Sequence, residues 1–152
     1  MIVYHVGKTK YSNDLAGEGA RLNGGRWNHI SIPCIYASES RALAILEYTV
    51  NVNINEIPRS LSITSIEIPD DGIVEVKFAN LPENWTQIPA PTSTKDFGTL
   101  LLSKSDKSII KIPSIIIQRE FNFILNPLHA DRKKFKIRNV EDFVYDIRIK
   151  LE

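Results

Sequence analysis

The sequence predicts an α+β fold with a mixed or mostly antiparallel sheet. Strand-like segments outnumber helix-like segments, and the two kinds do not alternate regularly as they do in doubly wound folds. The chain has 152 residues, a length that suits one domain with a sizeable hydrophobic core. No internal repeat or low-complexity tract divides it, so we predict a single domain over residues 1–152.

The first third of the chain predicts two strands, a long loop and a helix. Residues 2–6 are β-branched or aromatic in alternation, which is typical of a strand. Residues 8–28 are polar and rich in glycine and predict a long loop, and such loops in compact domains are usually functional or disordered. Residues 34–38 predict a short buried strand. One of the serines before residue 41 then caps a helix over residues 40–50.

The remainder of the chain is predicted to be mainly strands, with one more helix. Residues 61–68 alternate as a half-buried strand does, and residues 82–91 carry three prolines and predict a loop. A short helix is predicted over residues 94–103, with Ser93 or Thr94 near its cap. The other predicted strands cover residues 74–78, 108–112, 115–118, 121–125 and a closing strand at 143–149.

Composition and charge exclude several classes of function. The 19 basic and 18 acidic residues give a net charge of +1, which argues against direct nucleic-acid binding. The single cysteine, Cys34, rules out an internal disulfide and is predicted to be a small buried apolar residue. The sequence shows no signal peptide and no run of 18 apolar residues, so we expect a cytoplasmic protein without a membrane span. The basic residues at 132–138 predict a solvated surface or a patch for an acidic partner.

Arg26 and Glu47 are the residues most suited to chemistry. Arg26 follows two glycines, which permit close backbone approach, and an arginine there can bind phosphate with two hydrogen bonds. The alternative for Arg26 is a solvent-facing loop residue. Glu47 shares a predicted helix face with apolar residues, where a carboxylate needs an ion pair or a functional role.

Three further residues are weaker candidates, and no metal site is predicted. Tyr36 lies in a predicted buried strand and is either core or a ring that stacks on a ligand. Ser114 follows a proline at a strand break, and it suits a hydrogen-bond donor better than a nucleophile because no Ser/His/Asp order surrounds it. Asn126 precedes a proline and is either an ordinary turn residue or part of the site. The histidines are scattered without metal-ligand spacing.

Taken in order, these segments resemble the RES-domain family, the toxin half of Xre–RES toxin–antitoxin systems. The matching pieces run over most of the chain: 17–20, 24–28, 35–38, 42–47, 112–114 and 122–129. The family takes its name from an arginine, a glutamate and a serine, which correspond here to Arg26, Glu47 and Ser114. The resemblance implies a split mixed sheet similar to that of ADP-ribosyltransferases. It also implies NAD⁺ as the substrate.

The resemblance further implies roles for individual residues. Arg26 would clamp the pyrophosphate, and Glu47 would stabilise positive charge on the ribose. Tyr36 would pack against the nicotinamide or its ribose, and Ser114 and Asn126 would orient the ribose or carboxamide. Trp27, Asn28 and His5 complete the expected substrate-binding set. Many members of the family carry arginine where this chain has His5, which leaves one phosphate or ribose contact to His5 or Arg21.

The expected activity is cleavage of the nicotinamide–ribose bond, by hydrolysis or by phosphorolysis with inorganic phosphate as co-substrate. The expected partner is an Xre-like helix-turn-helix antitoxin, with which the chain forms a hetero-oligomer. Whether two toxin chains also form a homodimer stays open. Two rival functions remain open at this point. One is a protein ADP-ribosyltransferase, and the other is a non-catalytic nucleotide-binding or interaction module.

Overall fold

The computed structural model describes residues 1–150, and it confirms the α+β class. The described chain contains seven strands and three α-helices. The strands are β1 (Ile2–Lys8), β2 (Ile35–Ser38), β3 (Leu61–Glu67), β4 (Ile73–Glu75), β5 (Ile109–Pro113), β6 (Phe121–Leu125) and β7 (Lys136–Phe143). The helices are α1 (Glu18–Asn23), α2 (Arg41–Asn51) and α3 (Thr92–Lys104). No helix within residues 1–150 is long and apolar enough to cross a membrane.

The strands form one mixed sheet in which the central strand pair, β1 and β2, is joined at only one position. Their order is β4-β5-β6-β2-β1-β3-β7, and every neighbouring pair is antiparallel except β4 and β5. β1 pairs with β3 along its whole length from Ile2 to Lys8, but it pairs with β2 only at Tyr4 and Ser38. The sheet therefore consists of two halves that meet at a single point, and this junction corresponds to the split that the resemblance implied.

Side chains alternate between the two faces of the sheet and build two cores. One face carries a cluster that includes Val3, Ile35, Phe123 and Leu125, and Phe135 packs onto it. The other face supports α2 near the junction. Farther toward β5 it supports a core of Trp27, Cys34, Trp85, Leu102, Ile110, Ile112 and Ile124, among others. The second face, with its helices and loops, carries the candidate site.

Helix α2 forms where the sequence predicts it. The hydroxyl of Ser40 accepts a hydrogen bond from the backbone N–H of Leu43 at 3.1 Å, which caps the first turn. Leu43 and Ala44 are buried against the sheet, so the apolar stripe fixes the rotation of the helix. That rotation also directs Glu47, one turn farther along, toward the sheet.

The predictions for β1, β2 and β6 are confirmed, and so is the buried state of Cys34. β3 also forms where predicted, but it is buried on both faces and not half-buried. Only 1% of Cys34 is exposed, and burial raises the pKa of its thiol to about 12. Helix α3 begins at Thr92, slightly earlier than predicted, after Pro91 and without a side-chain cap. Pro91 can precede a helix because the first helical N–H groups have no partner inside the helix.

The prediction of an uninterrupted loop over residues 8–28 is wrong, because it contains α1. The carboxylate of Asp14 accepts hydrogen bonds from the N–H groups of Ala16 and Glu18, at 2.7 and 3.0 Å, and so organises the approach to the helix. Gly17 has a φ of +72°, and a Cβ there would lie 2.7 Å from the Cys34 carbonyl oxygen. A helix of only six residues shows too little periodicity to be predicted from sequence.

Three of the predicted strands, over residues 74–78, 115–118 and 143–149, need correction. Residues 115–118 form a turn, because the Ser114 hydroxyl accepts hydrogen bonds from Ile116 and Ile117 N–H. β4 ends at Glu75, so the strand predicted over 74–78 is too long at its end. The closing strand is β7 and not residues 143–149, since Ile147–Lys150 is a 3-10 turn. β7 lies at the sheet edge, where exposed charged side chains mask its strand pattern.

Candidate active site

The carboxylate of Glu47 is held by two side chains from neighbouring strands. Its Oε1 accepts a hydrogen bond from Ser114 Oγ at 2.7 Å and another from Asn122 Nδ2 at 2.6 Å. Among residues 1–150, no donor reaches the second oxygen, Oε2, and Glu47 forms no ion pair. One oxygen is thus fixed by the protein, and the other remains available to a ligand.

Ser114 supports Glu47 from a fully buried position. Its residue is 0% exposed, and it follows Pro113 at the end of β5. The Oγ accepts two backbone hydrogen bonds, from Ile116 and Ile117 at 3.0 and 3.2 Å, and donates its one proton to Glu47. The one proton of this buried hydroxyl is used by Glu47, which argues against the direct contact with ribose or carboxamide that the resemblance implied.

Asn122 contacts the candidate glutamate, and the sequence assigned no functional role to it. It lies on β6 opposite Ser38 of β2, and Ser38 Oγ donates to Asn122 Oδ1 at 2.7 Å. An ionised carboxylate only accepts hydrogen bonds, so Asn122 presents its Nδ2 group to Glu47, and Ser38 Oγ donates to the Oδ1 that remains. The available signals were an asparagine within an apolar strand and its place at the start of the matching segment 122–129, and the register that brings it to Glu47 is not visible in the sequence.

Arg26 is anchored by backbone carbonyls. Its NH1 donates to the carbonyl oxygens of Trp85 and Gln87, at 3.0 and 2.8 Å. A guanidinium has five N–H donors, and the rest of them have no partner among the described residues. Burial is the larger influence and lowers the pKa of Arg26, while the negative charge of Glu47 raises it.

Trp27 and Asn28, predicted to bind substrate, are buried in the protein instead. Trp27 is 4% exposed and stacks on Trp85 with ring centroids 6.4 Å apart. Asn28 is 0% exposed, and its Nδ2 donates to the carbonyls of Ala20, His29 and Ile32. Neither side chain has surface left for a ligand, and both hold the loop that carries Arg26.

Tyr36 ties the same loop to β2 through its hydroxyl. The hydroxyl donates to Asn28 Oδ1 at 2.6 Å and accepts from the N–H of Trp27 at 3.0 Å. Burial raises the pKa of Tyr36 well above its ordinary value, so the phenol stays protonated as these bonds require. Gly25 passes so close that a Cβ there would lie 2.7 Å from the Tyr36 oxygen. Taken as a whole residue, Tyr36 is partly exposed.

His5 fills the junction between the two halves of the sheet. Its Nδ1 is 2.7 Å from the carbonyl oxygen of Tyr36, at a point where β1 and β2 no longer pair. The ring keeps some accessible surface, but the atoms packed around it lower the pKa of His5. A neutral ring that donates through Nδ1 satisfies this geometry. Arg21, the other residue considered for the same contact, is paired with Glu18.

Asn126 is not brought to the other candidates. It follows β6 at the opposite end from Asn122, and its Nδ2 donates to the Leu102 carbonyl at 2.8 Å. Its Oδ1 accepts from the N–H of Leu128 at 3.0 Å, which closes the Asn-Pro turn.

Within residues 1–150, no group of three or more His, Cys, Asp or Glu side chains is arranged to hold a metal ion. A surface cavity beside Met1, Asp70 and Lys136 contains none of the candidate residues.

The RES domain family model matches residues 2–146 of the chain. The chain belongs to the RES family. A "Prs ADP-ribosylating toxin" from Sphingobium sp. is 36% identical over 145 residues, covering 93% of this chain and 90% of that protein. A "Toxin Res" from Photorhabdus laumondii is 35% identical over 152 residues, covering 98% of this chain and 97% of that protein.

A solved structure confirms the fold of this RES domain. One chain of the crystal structure of the M. tuberculosis MbcT-MbcA toxin-antitoxin complex superimposes with a TM-score of 0.74. The match covers 94% of this chain and 84% of that one, at 15% sequence identity. At that identity the similarity establishes a common fold.

Proposed function

We propose that this RES domain is the toxin of a toxin–antitoxin pair and that it cleaves the nicotinamide–ribose bond of NAD⁺. The observation that carries the proposal is that Glu47 and Arg26, which have opposite charges, are each anchored and still keep hydrogen-bonding atoms without a partner among the described residues. Glu47 has one oxygen fixed and one without a partner among the described residues, and Arg26 is anchored through NH1 alone. Such a pair suits a ligand that carries phosphate at one position and develops positive charge at another.

The chemistry assigned to Glu47 is electrostatic. When the bond from ribose C1′ to nicotinamide nitrogen breaks, its electron pair leaves with nicotinamide and positive charge develops on the ribose. A fixed carboxylate stabilises that charge without reorganising during the reaction. Ser114 and Asn122 hold the carboxylate by its other oxygen, so they position Glu47 without touching the substrate.

Arg26 is proposed to bind the pyrophosphate. The N–H groups that remain after its two bonds to carbonyls include the Nε and NH2 donors, which form the fork that binds phosphate oxygens. Tyr36, Trp27 and Asn28 contribute by holding the loop. His5 keeps Nε2 unbonded among the described residues, and we assign this atom to the ribose or phosphate contact at the junction.

The acceptor of the ribosyl group is water, inorganic phosphate or a protein side chain. The printed name of the Sphingobium relative describes an ADP-ribosylating toxin, which favours protein modification as the second candidate function. The antitoxin is proposed to be an Xre-like helix-turn-helix protein that forms a hetero-oligomer with this chain in the cytoplasm. The fold match to a toxin–antitoxin complex supports such a partner.

The decisive experiment follows nicotinamide release from NAD⁺ by the purified protein, with and without inorganic phosphate. We expect release by the wild type and loss of release in Glu47→Gln. Phosphorus NMR of the product distinguishes ADP-ribose from its phosphorylated form, and mass spectrometry of a cell extract detects ADP-ribose added to a protein. If the folded wild type releases no nicotinamide under any of these conditions, the enzyme proposal fails.

A further inference from the structure

The loop that carries Arg26 lies directly against helix α3. At Gly98 a Cβ would lie 2.0 Å from the carbonyl oxygen of Trp27 and 2.7 Å from its carbonyl carbon. Contacts that short are impossible for any side chain, so the loop backbone occupies the place where a side chain of α3 would stand. The position of Arg26 is thus set against α3 as well as against Tyr36 on β2.

Two side chains of α3, one helical turn apart, bond the loop on either side of Arg26. Lys95 Nζ donates to the carbonyl oxygen of Gly25 at 2.8 Å. Thr99 Oγ1 accepts from the backbone N–H of His29 at 3.1 Å. Residues i and i+4 of a helix share one face, and Gly98 lies beside them on that face. The ammonium of Lys95 therefore bonds the peptide immediately before Arg26.

Lys95 has no competing partner in the part of the chain that the structure describes. No carboxylate lies within ion-pair distance of its Nζ, whereas the neighbouring Asp96 pairs with His29 at 2.6 Å. Its side chain is partly buried, and its ammonium group donates a hydrogen bond to a carbonyl oxygen instead of being fully solvated. A hydrogen bond from a charged donor is stronger than a neutral one, which suits a tether on a loop.

We propose that Lys95 is a positioning residue for the anion-binding role of Arg26, acting through the Gly25 carbonyl. Its ammonium holds the peptide before Arg26 against α3. From that position the guanidinium reaches the carbonyls of Trp85 and Gln87 through NH1 and presents its other donors to the ligand. The role in NAD⁺ binding rests on the proposed function, while the tether itself does not.

The test compares Lys95→Met, which removes the charge and keeps the length, with Lys95→Arg, which keeps a cationic donor. Lys104→Met is the matched control, because Lys104 lies exposed in the last turn of the same helix. ADP-ribose binding is followed by the fluorescence of Trp27 and Trp85, the two tryptophans of the chain. We expect Lys95→Met to weaken binding about tenfold, Lys95→Arg to restore most of it, and Lys104→Met to bind like the wild type.

A double-substitution cycle shows whether Lys95 acts through Arg26. If it does, Lys95→Met has no further effect in an Arg26→Ala background, because coupled residues are not additive. Wild-type affinity in Lys95→Met, an equal loss in Lys104→Met, or full additivity with Arg26→Ala would each overturn the proposal.

Hydrogen exchange of the Trp27 and His29 amides tests the tether without any ligand. We expect roughly tenfold faster exchange in Lys95→Met than in the wild type, with wild-type exchange in Lys95→Arg and Lys104→Met. If the wild type binds no ADP-ribose, the proposed NAD⁺ function fails and this measurement alone decides the tether. Unchanged exchange in Lys95→Met would then refute it.

Discussion

Glu47 and Arg26 are held by different kinds of partner. The carboxylate of Glu47 is fixed by side chains, Ser114 and Asn122. The guanidinium of Arg26 is fixed by the backbone carbonyls of Trp85 and Gln87. Side-chain partners can be recognised in a sequence by their residue type. Backbone carbonyls cannot, because every residue has one. The glutamate side of the site therefore depends on residue types, and the arginine side depends on the course of the backbone.

The largest effect is expected from Glu47→Gln, which keeps the shape of the side chain and removes its charge. Loss of one electrostatic stabiliser costs about 10²–10³-fold in rate, so kcat for nicotinamide release should fall by that factor. The affinity for ADP-ribose, read from tryptophan fluorescence, should change little, because Arg26 remains in place. A large loss of affinity with an unchanged kcat would reverse the roles assigned to the two sides.

Gly98→Ala tests the dependence of the arginine side on backbone position. The new Cβ would lie 2.0 Å from the Trp27 carbonyl oxygen, so either the loop or α3 must move. We expect a loss of about 3 kcal/mol in the free energy of unfolding, measured with urea, together with weaker ADP-ribose binding.

Gly19→Ala is the matched control for that substitution. A Cβ at Gly19 meets no atom within 4 Å, and alanine in a helix is more favourable than glycine by up to about 1 kcal/mol. Equal destabilisation by both substitutions would show that the contact between the loop and α3 has no special importance.

Ser114→Ala is expected to lower kcat less than Glu47→Gln does, because it removes one of the two hydrogen bonds that hold the Glu47 carboxylate. Asn122 still holds the carboxylate, but two backbone N–H groups lose their acceptor. Unsatisfied buried donors cost about 1–3 kcal/mol, and we expect kcat to fall about tenfold, with little change in ADP-ribose affinity. Ser103→Ala, at an exposed serine of α3, serves as the control. Wild-type kcat in Ser114→Ala would remove Ser114 from the support of Glu47.

The smallest effect concerns His5, at the junction between the halves of the sheet. Burial lowers the pKa of His5 in the folded state below its ordinary value of 6.5. As the pH falls below about 6.5, the unfolded chain takes up a proton before the folded chain does, so stability should decrease. Urea unfolding between pH 7.5 and pH 5 should show a steeper loss in the wild type than in His5→Gln. Parallel pH profiles would contradict a buried neutral histidine.

The sequence by itself determined the fold class, the main strands and α2, and it selected Arg26 and Glu47 as the candidates for chemistry. Alternation and helical periodicity are local properties, and an arginine after two glycines or a carboxylate on an apolar stripe is visible without any contact. Where the pattern was short or masked, it misled: α1 has only six residues, and the closing strand was predicted over 143–149 although β7 spans Lys136–Phe143.

Only the tertiary structure decided which residues touch which. Asn122 faces Glu47 because β2 and β6 pair in one register that places it opposite Ser38. Asn126, four residues along, points away to the Leu102 carbonyl. Trp27 and Asn28 were expected to contact the substrate and are buried in the protein instead. Register, helix rotation and the path of a loop arise from contacts between distant segments, and local sequence does not contain them.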